Sequence, residues 1–363
     1  MFRRMVQAII DSSFLDDTSA EEIPLVSQGS AGVPLTRENF HPLTIFKKEL
    51  PEMAFCDGGN CEILSAPNAS IQLIRGYFSI FRSNQKVFSH TEQFYLLVKA
   101  QGSDGKINYK CRFFSEMGSE LSEEEICALF NIPQEEREEF FSSTNNFTFD
   151  PFDRNLTTSR ERATPSKIAE VIRRLFELAI AERAAHKLEC GILILDGSLQ
   201  ESHPSENYLM QRLFSKCKFK RIVLGGMSKT SNLLTNSGKP LLPLLSSISP
   251  FSEWYYFPIV KEQDDSLVRQ YVVKLNSSSP YSFRIEIASS PINAEEVFWA
   301  LQKNATDYAF PGYPYGLIDA DKFAQVSNDE KKILVAALLS ESGSSKLQLL
   351  GASLDAHKIL NTL

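Results

Sequence analysis

The run Gly191-Ile-Leu-Ile-Leu195 constrains the fold more than any other part of the chain. It is an unbroken apolar stretch bounded by glycine on both sides, Gly191 and Gly197. A strand with no polar face must be covered on both sides, so it belongs at the centre of a sheet with helices above and below. The flanking sequence agrees. Thr164 suits a helix N-cap and Pro165 the first helical position. Ile168, Val171, Ile172, Leu175, Leu178 and Ala179 then recur at helical spacing, predicting a long helix to about His186. Beyond the central run the pattern predicts a helix at about 205–217, a strand at Arg221–Gly225 and a helix at about 229–236. Such alternation means βαβ units and parallel strands.

The upstream region reads differently. Met53–Asp57 is a short apolar run ending at Asp-Gly-Gly, and Ile71–Phe81 and Gln93–Ala100 are rich in β-branched and aromatic residues. Ser103-Asp104-Gly105-Lys106 is a turn signal that predicts a hairpin between Gln93–Ala100 and Ile107–Phe114. Two or three strands are expected within 254–288, and helices near 293–304, 320–326, 328–341 and 352–361. Antiparallel strands followed by helix–strand–helix–strand–helix predict an α/β, RNase H-like fold. This is a mixed sheet flanked by helices, with its first and fourth strands side by side and helical additions at both termini. The expected organisation is a helix and connector over 1–50 and one domain over 51–363. That domain carries an acidic insertion of short surface helices at about 116–150, with nine glutamates between Glu116 and Glu139.

Hydrophobic residues make up 43% and charged residues 23% of 363, the balance of an ordinary soluble protein. The N-terminus lacks the apolar core of a signal peptide, and no apolar run approaches the ~20 residues that span a bilayer. The six cysteines form no zinc-ligand pattern and read as reduced thiols of a cytoplasmic protein, Cys190 as a small buried hydrophobe. The net charge of −7 disfavours a general polyanion binder. Its distribution is uneven: Tyr208–Pro240 holds seven basic residues and no acidic one. Lys218, Lys220, Arg221 and Lys229 are therefore candidate phosphate contacts in a confined groove. Solvated helix faces would give the same counts.

Two strand ends share one design, Ala54-Phe-Cys-Asp57-Gly-Gly and Leu193-Ile-Leu-Asp196-Gly-Ser. An aspartate ending a strand sits at the sheet rim, where ligands bind in open α/β sheets. On neighbouring strands the two would lie ~5 Å apart. Carboxylates so close repel unless a proton or cation intervenes, and hard divalent cations take oxygen ligands. A lone Asp-Gly is most simply a turn; two in this topology point to a site. Glu177, between Leu175 and Leu178 on the long helix, is either paired with Arg173 or Arg174 or is a third ligand. Leu224-Gly-Gly-Met-Ser-Lys229-Thr-Ser lacks the glycine before lysine that a nucleotide-binding P-loop requires. Lys229 near a helix start could still hold a phosphate. In Phe310-Pro-Gly-Tyr313-Pro-Tyr-Gly-Leu-Ile-Asp319-Ala-Asp321, prolines and glycines fix a loop entering a helix. Tyr313, Asp319 and Asp321 could reach the site, and either aspartate could instead be an N-cap. Glycoside hydrolysis by paired carboxylates would need an aromatic-lined cleft, which Trp254 and Trp299 alone do not supply.

From about Glu52 onward the chain resembles the NurA nuclease family. The resemblance rests on Phe-Cys-Asp57-Gly-Gly-Asn, Arg173-x-x-x-Glu177, Ile-Leu-Asp196-Gly-Ser-Leu, Gly-x-x-Lys229-Thr and Gly312-Tyr313-Pro-Tyr-x-Leu, in that order. It implies a dimeric, manganese-dependent DNA nuclease on an RNase H-like fold. Such an enzyme would be a 5′-3′ exonuclease and single-strand endonuclease, working with the HerA hexameric ATPase in DNA end resection and double-strand break repair. It implies Asp57, Glu177 and Asp196 as ligands of two Mn²⁺ or Mg²⁺ ions, with Lys229 and Tyr313 supporting substrate phosphate. Where many relatives place a histidine eight residues after the tyrosine, this sequence has Asp321, a candidate fourth ligand. Segment 1–20, with Phe2, Met5, Val6, Ile9, Ile10 and Phe14, is the candidate docking element for the ATPase. The alternative function is a non-catalytic DNA clamp or adaptor for that motor.

Overall fold

The computed structural model describes residues 2–6, 22–25, 31–103, 105–157, 161–261, 267–288 and 293–341. Eleven of the described strands join one sheet. In chain order they are β1 (Phe40–Pro42), β2 (Met53–Ala66), β3 (Ala69–Arg82), β4 (Gln85–Ser103), β5 (Lys106–Phe114), β6 (Thr148–Phe149), β7 (Gly191–Asp196), β8 (Ile222–Ser228), β9 (Trp254–Tyr256), β10 (Val268–Lys274) and β11 (Phe283–Ala288). Their spatial order is β1-β9-β10-β11-β8-β7-β2-β3-β4-β5-β6. β7 runs parallel to both β2 and β8, while β2 to β5 form an antiparallel meander. The segment β4-β3-β2-β7-β8 is the expected RNase H-like arrangement, three antiparallel strands followed by two parallel ones, with the first and fourth adjacent.

Beyond the helical residues 2–6, the described α-helices are α1 (Glu123–Leu129), α2 (Arg137–Ser143), α3 (Pro165–Lys187), α4 (Glu206–Lys220), α5 (Leu241–Ile248), α6 (Ala294–Asn304), α7 (Tyr315–Ala324) and α8 (Asn328–Glu341). Strand residues alternate between two cores, as the pleat requires. Ala54, Cys56, Leu193 and Leu195 pack with Leu175, Leu178, Leu209 and Leu213 of α3 and α4. Met53, Phe55, Ile192 and Ile194 pack with Phe298, Leu301, Leu317 and Ala320 of α6 and α7. The central run is thus covered on both faces. No described helix is long and apolar enough to cross a membrane.

Several expectations need correction. The first strand does not end at Asp57-Gly-Gly; β2 is fourteen residues long and runs on to Ala66. Its hairpin partner β3 stays in register, Asp57 opposite Tyr77 and Gly58 opposite Gly76. The glycines serve close approach rather than a turn: a Cβ on Gly59 would lie 2.2 Å from the carbonyl oxygen of Ala324. The helix expected at about 229–236 is absent. β11 pairs with β8 as far as Ser228, Leu234–Thr235 pairs with Pro24–Leu25, and the helix begins only at Leu241. Asp319 and Asp321 lie inside α7, whose N-cap is Pro314. Cys190 is exposed, because it stands in the turn before β7, whereas the other five cysteines are buried and all six are free. The acidic insertion does form short helices, but Phe130, Phe140 and Phe147 within it are buried. Residues 40–42 belong to the sheet edge against β9, not to a separate connector. Of the expected segment 1–20 only 2–6 is described, and it is helical; the helix expected at 352–361 lies outside the described residues.

Candidate metal centre

The parity of the strands decides where the carboxylates point. β2 and β7 pair in parallel from Met53 and Ile192 to Cys56 and Leu195. Asp57 and Asp196 follow one step beyond, side by side. Both share the parity of Phe55 and Ile194, so both emerge on the α7 face. There α7 contributes Asp321, and one oxygen from each of Asp57, Asp196 and Asp321 lies within 4.8 Å of the others.

Cationic and phenolic groups close around them. Lys229, just past the end of β8, places Nζ 2.5 Å from Asp196 Oδ2 and 2.6 Å from Asp321 Oδ1. The Tyr313 hydroxyl, on a fully buried side chain, donates to Asp196 Oδ1 at 3.2 Å. Lys229 Nζ also lies 6.0 Å from the centre of that ring. One ammonium does not balance the cluster. Burial, then Asp196 and Glu177, push the Asp57 carboxyl up to about 8, against Lys229 and the Gly58 amide. Burial also raises Asp196, against Lys229. Burial opposes the charge of Lys229, yet Asp196 and Asp321 hold it above its ordinary value.

Glu177 comes from the opposite layer. Gly58 faces α3, and a Cβ there would lie 3.0 Å from Glu177 Cβ. Arg173 Nη1 donates to Glu177 Oε2 at 2.7 Å and to the Gly58 carbonyl at 2.8 Å. Arg174 Nη1 donates to Glu177 Oε1 at 2.5 Å, and its Nη2 to the Ser198 carbonyl at 2.6 Å. Both arginines anticipated as partners are therefore used at once, and they tie Glu177 to the backbone after each aspartate. The fully buried carboxylate stays outside the trio of converging oxygens.

Lys218, Lys220 and Arg221 are not brought to this site. β8 begins just after them, opposite the start of β7, so they stand at the other rim of the sheet. Lys220 Nζ donates to the carbonyls of Ala185, His186 and Leu188, closing the C-terminal end of α3.

Two more residues complete the frame, Glu286, which sequence reasoning did not assign, and Asp319, which it read as reaching the site or capping a helix. Glu286 of β11 is buried, and its Oε2 accepts from Ser198 Oγ at 2.9 Å and Leu199 N at 2.7 Å, fixing the loop behind Asp196. Asp319 accepts from the Tyr77 hydroxyl at 2.8 Å and Lys86 Nζ at 2.9 Å, anchoring α7 so that Asp321 faces the site. The signal for Glu286 was an acidic residue alternating with Ile285 and Ile287 in a strand; for Asp319 no local signal separates an anchor from a cap.

The model of the NurA domain matches residues 51–326. The chain belongs to the NurA family. The match spans β2 to the residues just past α7, and so takes in every side chain of the candidate site described above. Among solved structures, the NurA nuclease from Sulfolobus solfataricus is similar at 11% identity and a TM-score of 0.46, covering 94% of this chain and 93% of that one. A. aeolicus Argonaute is similar at 9% identity and a TM-score of 0.33, covering 76% and 28%. Ciona intestinalis endonuclease V, bound to DNA containing an inosine, follows at 11% and 0.37, covering 78% and 87%. No curated protein matches the chain.

Proposed function

We propose that this NurA-family chain is a divalent-metal-dependent deoxyribonuclease. The observation that carries the reading is the convergence of Asp57, Asp196 and Asp321. Their donor set fits a hard cation: every converging ligand atom is a carboxylate oxygen, the type that Mg²⁺ and Mn²⁺ take. Asp57, held protonated up to about 8 by burial and its acidic neighbours, marks negative charge that the protein's own cations leave uncompensated.

Asp57, Asp196 and Asp321 would hold the metal, with Glu177 and its two arginines bracing Gly58 and Ser198 beneath it. A bound divalent ion supplies Lewis acidity and lowers the pKa of its water. Lys229 is placed to leave its carboxylates for a phosphate oxygen and to stabilise the charge developing there. Tyr313 holds Asp196 in one orientation. A homodimer and a HerA-type hexameric ATPase as partner, with a role in end resection, follow from the family resemblance and belong to the same proposal.

The test is digestion of end-labelled single- and double-stranded DNA with Mn²⁺, with Mg²⁺ and with chelator, with and without the ATPase. Metal-dependent cleavage that disappears in Asp57→Ala is expected. Cleavage by Asp57→Ala above a few per cent of wild type would remove the carboxylates from the chemistry.

A further inference from the structure

At the rim of the sheet away from the carboxylates, the C-terminal half of α4 leaves a groove of about 540 Å³ beside the start of β8 and the end of β11. That volume is within the range of about 300–1,000 Å³ typical of pockets that take a ligand. Ile222, Leu224 and Ala288 form its buried floor, and Phe214 and Leu267 its sides. Leu267 is 69% exposed, so the apolar surface of the groove continues out to its edge.

Lys218 and Arg221 stand at the lip, both exposed. Among the described residues no acidic side chain lines the groove, and neither cation is paired with a carboxylate. Two other cations of α4 are engaged: Arg212 pairs with Glu136 and Glu182, and Lys220 donates to the carbonyls that end α3. Arg221 is unusual in its backbone as well. It takes the left-handed conformation just past α4, with φ 55°. Glycine is the usual residue at such a position, and a side chain there is disfavoured. The chain nevertheless carries a guanidinium at that point, with no partner of its own. A nucleic-acid strand would need cations spaced along its phosphates, whereas these two stand within one turn of each other over an aliphatic floor.

We propose that this groove docks an acidic segment of a partner protein. The segment sets one or two large apolar side chains on Ile222, Leu224 and Ala288, and its carboxylates meet Lys218 and Arg221. Charge complementarity selects this occupant: the lip is purely cationic on a chain whose net charge is −7. The two kinds of contact divide the work. Buried apolar anchors carry most of the affinity of such an interface, while charges at its edge set partner choice and orientation. The site lies at the opposite rim from Asp57 and Asp196, so a bound partner leaves the carboxylates open.

The experiment follows the fluorescence anisotropy of a labelled peptide, a run of aspartates followed by Ile-Leu-Phe, titrated with the full chain. Wild type should bind it saturably, and more weakly as salt rises. Leu267→Asp and Arg221→Gly should each weaken binding about tenfold or more. Both positions are exposed, and glycine suits the left-handed backbone past α4, so both variants should melt no lower than wild type. Absence of saturable binding by wild type, or wild-type affinity in either variant, would overturn the proposal. So would equal binding of control peptides with lysines for the aspartates or serines for Ile-Leu-Phe. Displacement of the peptide by oligothymidylate would assign the groove to nucleic acid instead. A dimer by light scattering that Leu267→Asp converts to monomer would assign it to a second copy of the chain. Either result would likewise remove the acidic segment as its occupant.

Discussion

At the scale of single residues the site is a problem in charge, and Asp57 states it. An unfolded aspartate titrates at ~3.9; burial, Asp196 and Glu177 push the folded value up to about 8. Between those values the unfolded chain is ionised while the folded one keeps its proton. The contribution to stability is therefore fully present below ~4 and is lost as pH rises through about 8, at up to ~1.4 kcal/mol per pH unit. Asp57→Asn removes that loss. In thermal melts with chelator, the variant should match wild type at pH 4 and melt higher at pH 8. Mn²⁺ should then stabilise wild type more than the variant. Equal melting temperatures at pH 8 would mean that Asp57 is ionised without a metal. Lys229 gives a second prediction. Replacing it with methionine leaves Asp196 and Asp321 without their ammonium, so cleavage should fall about a hundredfold or more while Mn²⁺ still stabilises the fold. The residues themselves were legible: Asp57, Asp196, Lys229, Tyr313 and Asp321 stand in local motifs. What could not be read was that Glu177 lies across the sheet with both oxygens held by arginines. That depends on Gly58 facing α3, which only the register reveals.

Elements hold these groups where single residues cannot. Helix α7 reaches the sheet because Gly316 has no side chain; a Cβ there would lie 2.0 Å from a ring carbon of Phe55. Alanine is the better helix former by ~1 kcal/mol. Overpacking a buried ring costs ~1–3 kcal/mol or more, and at that separation the upper end applies. Gly316→Ala should therefore destabilise the fold by ~2 kcal/mol net in denaturant melts, and withdraw Asp321 from its partners. On the other side of β8, Glu286 holds the loop behind Asp196 through two accepted hydrogen bonds. Glu286→Ala should lower kcat about tenfold or more with little change in KM. Glu286→Gln, which keeps an acceptor, should restore most of it; equal losses in both would assign the residue to charge rather than to position. Periodicity found the long helix and the central strand, since each buries a regular pattern. It misplaced a helix at about 229–236, because Leu-Gly-Gly-Met-Ser reads as a loop until β11 is known to pair with it. It also shortened β2, where Asp-Gly-Gly imitates a turn although β3 carries the pairing on.

Across the whole molecule the parallel strands have two rims, and chemistry belongs to one. The basic segment 208–240 spans both: Lys229 lies at the carboxylates, whereas Lys218, Lys220 and Arg221 precede β8 at the far rim. Charge counts along the sequence could not separate them. Neutralising Lys218 should thus leave the salt dependence of DNA affinity unaltered, because a lost phosphate contact is what flattens that slope. Lys220→Ala should instead lower stability by about 1 kcal/mol, by uncapping the carbonyls that end α3. A flattened salt slope in Lys218→Ala would place a DNA path along the far rim. The chain order of the site has a consequence of its own for biosynthesis. Asp57 leaves the ribosome first, Asp196 and Lys229 much later, and Tyr313 and Asp321 near the end of the described residues. A chain interrupted before Tyr313 already holds two carboxylates but lacks the helix that closes on them. Prematurely terminated copies are accordingly expected to be inert toward DNA.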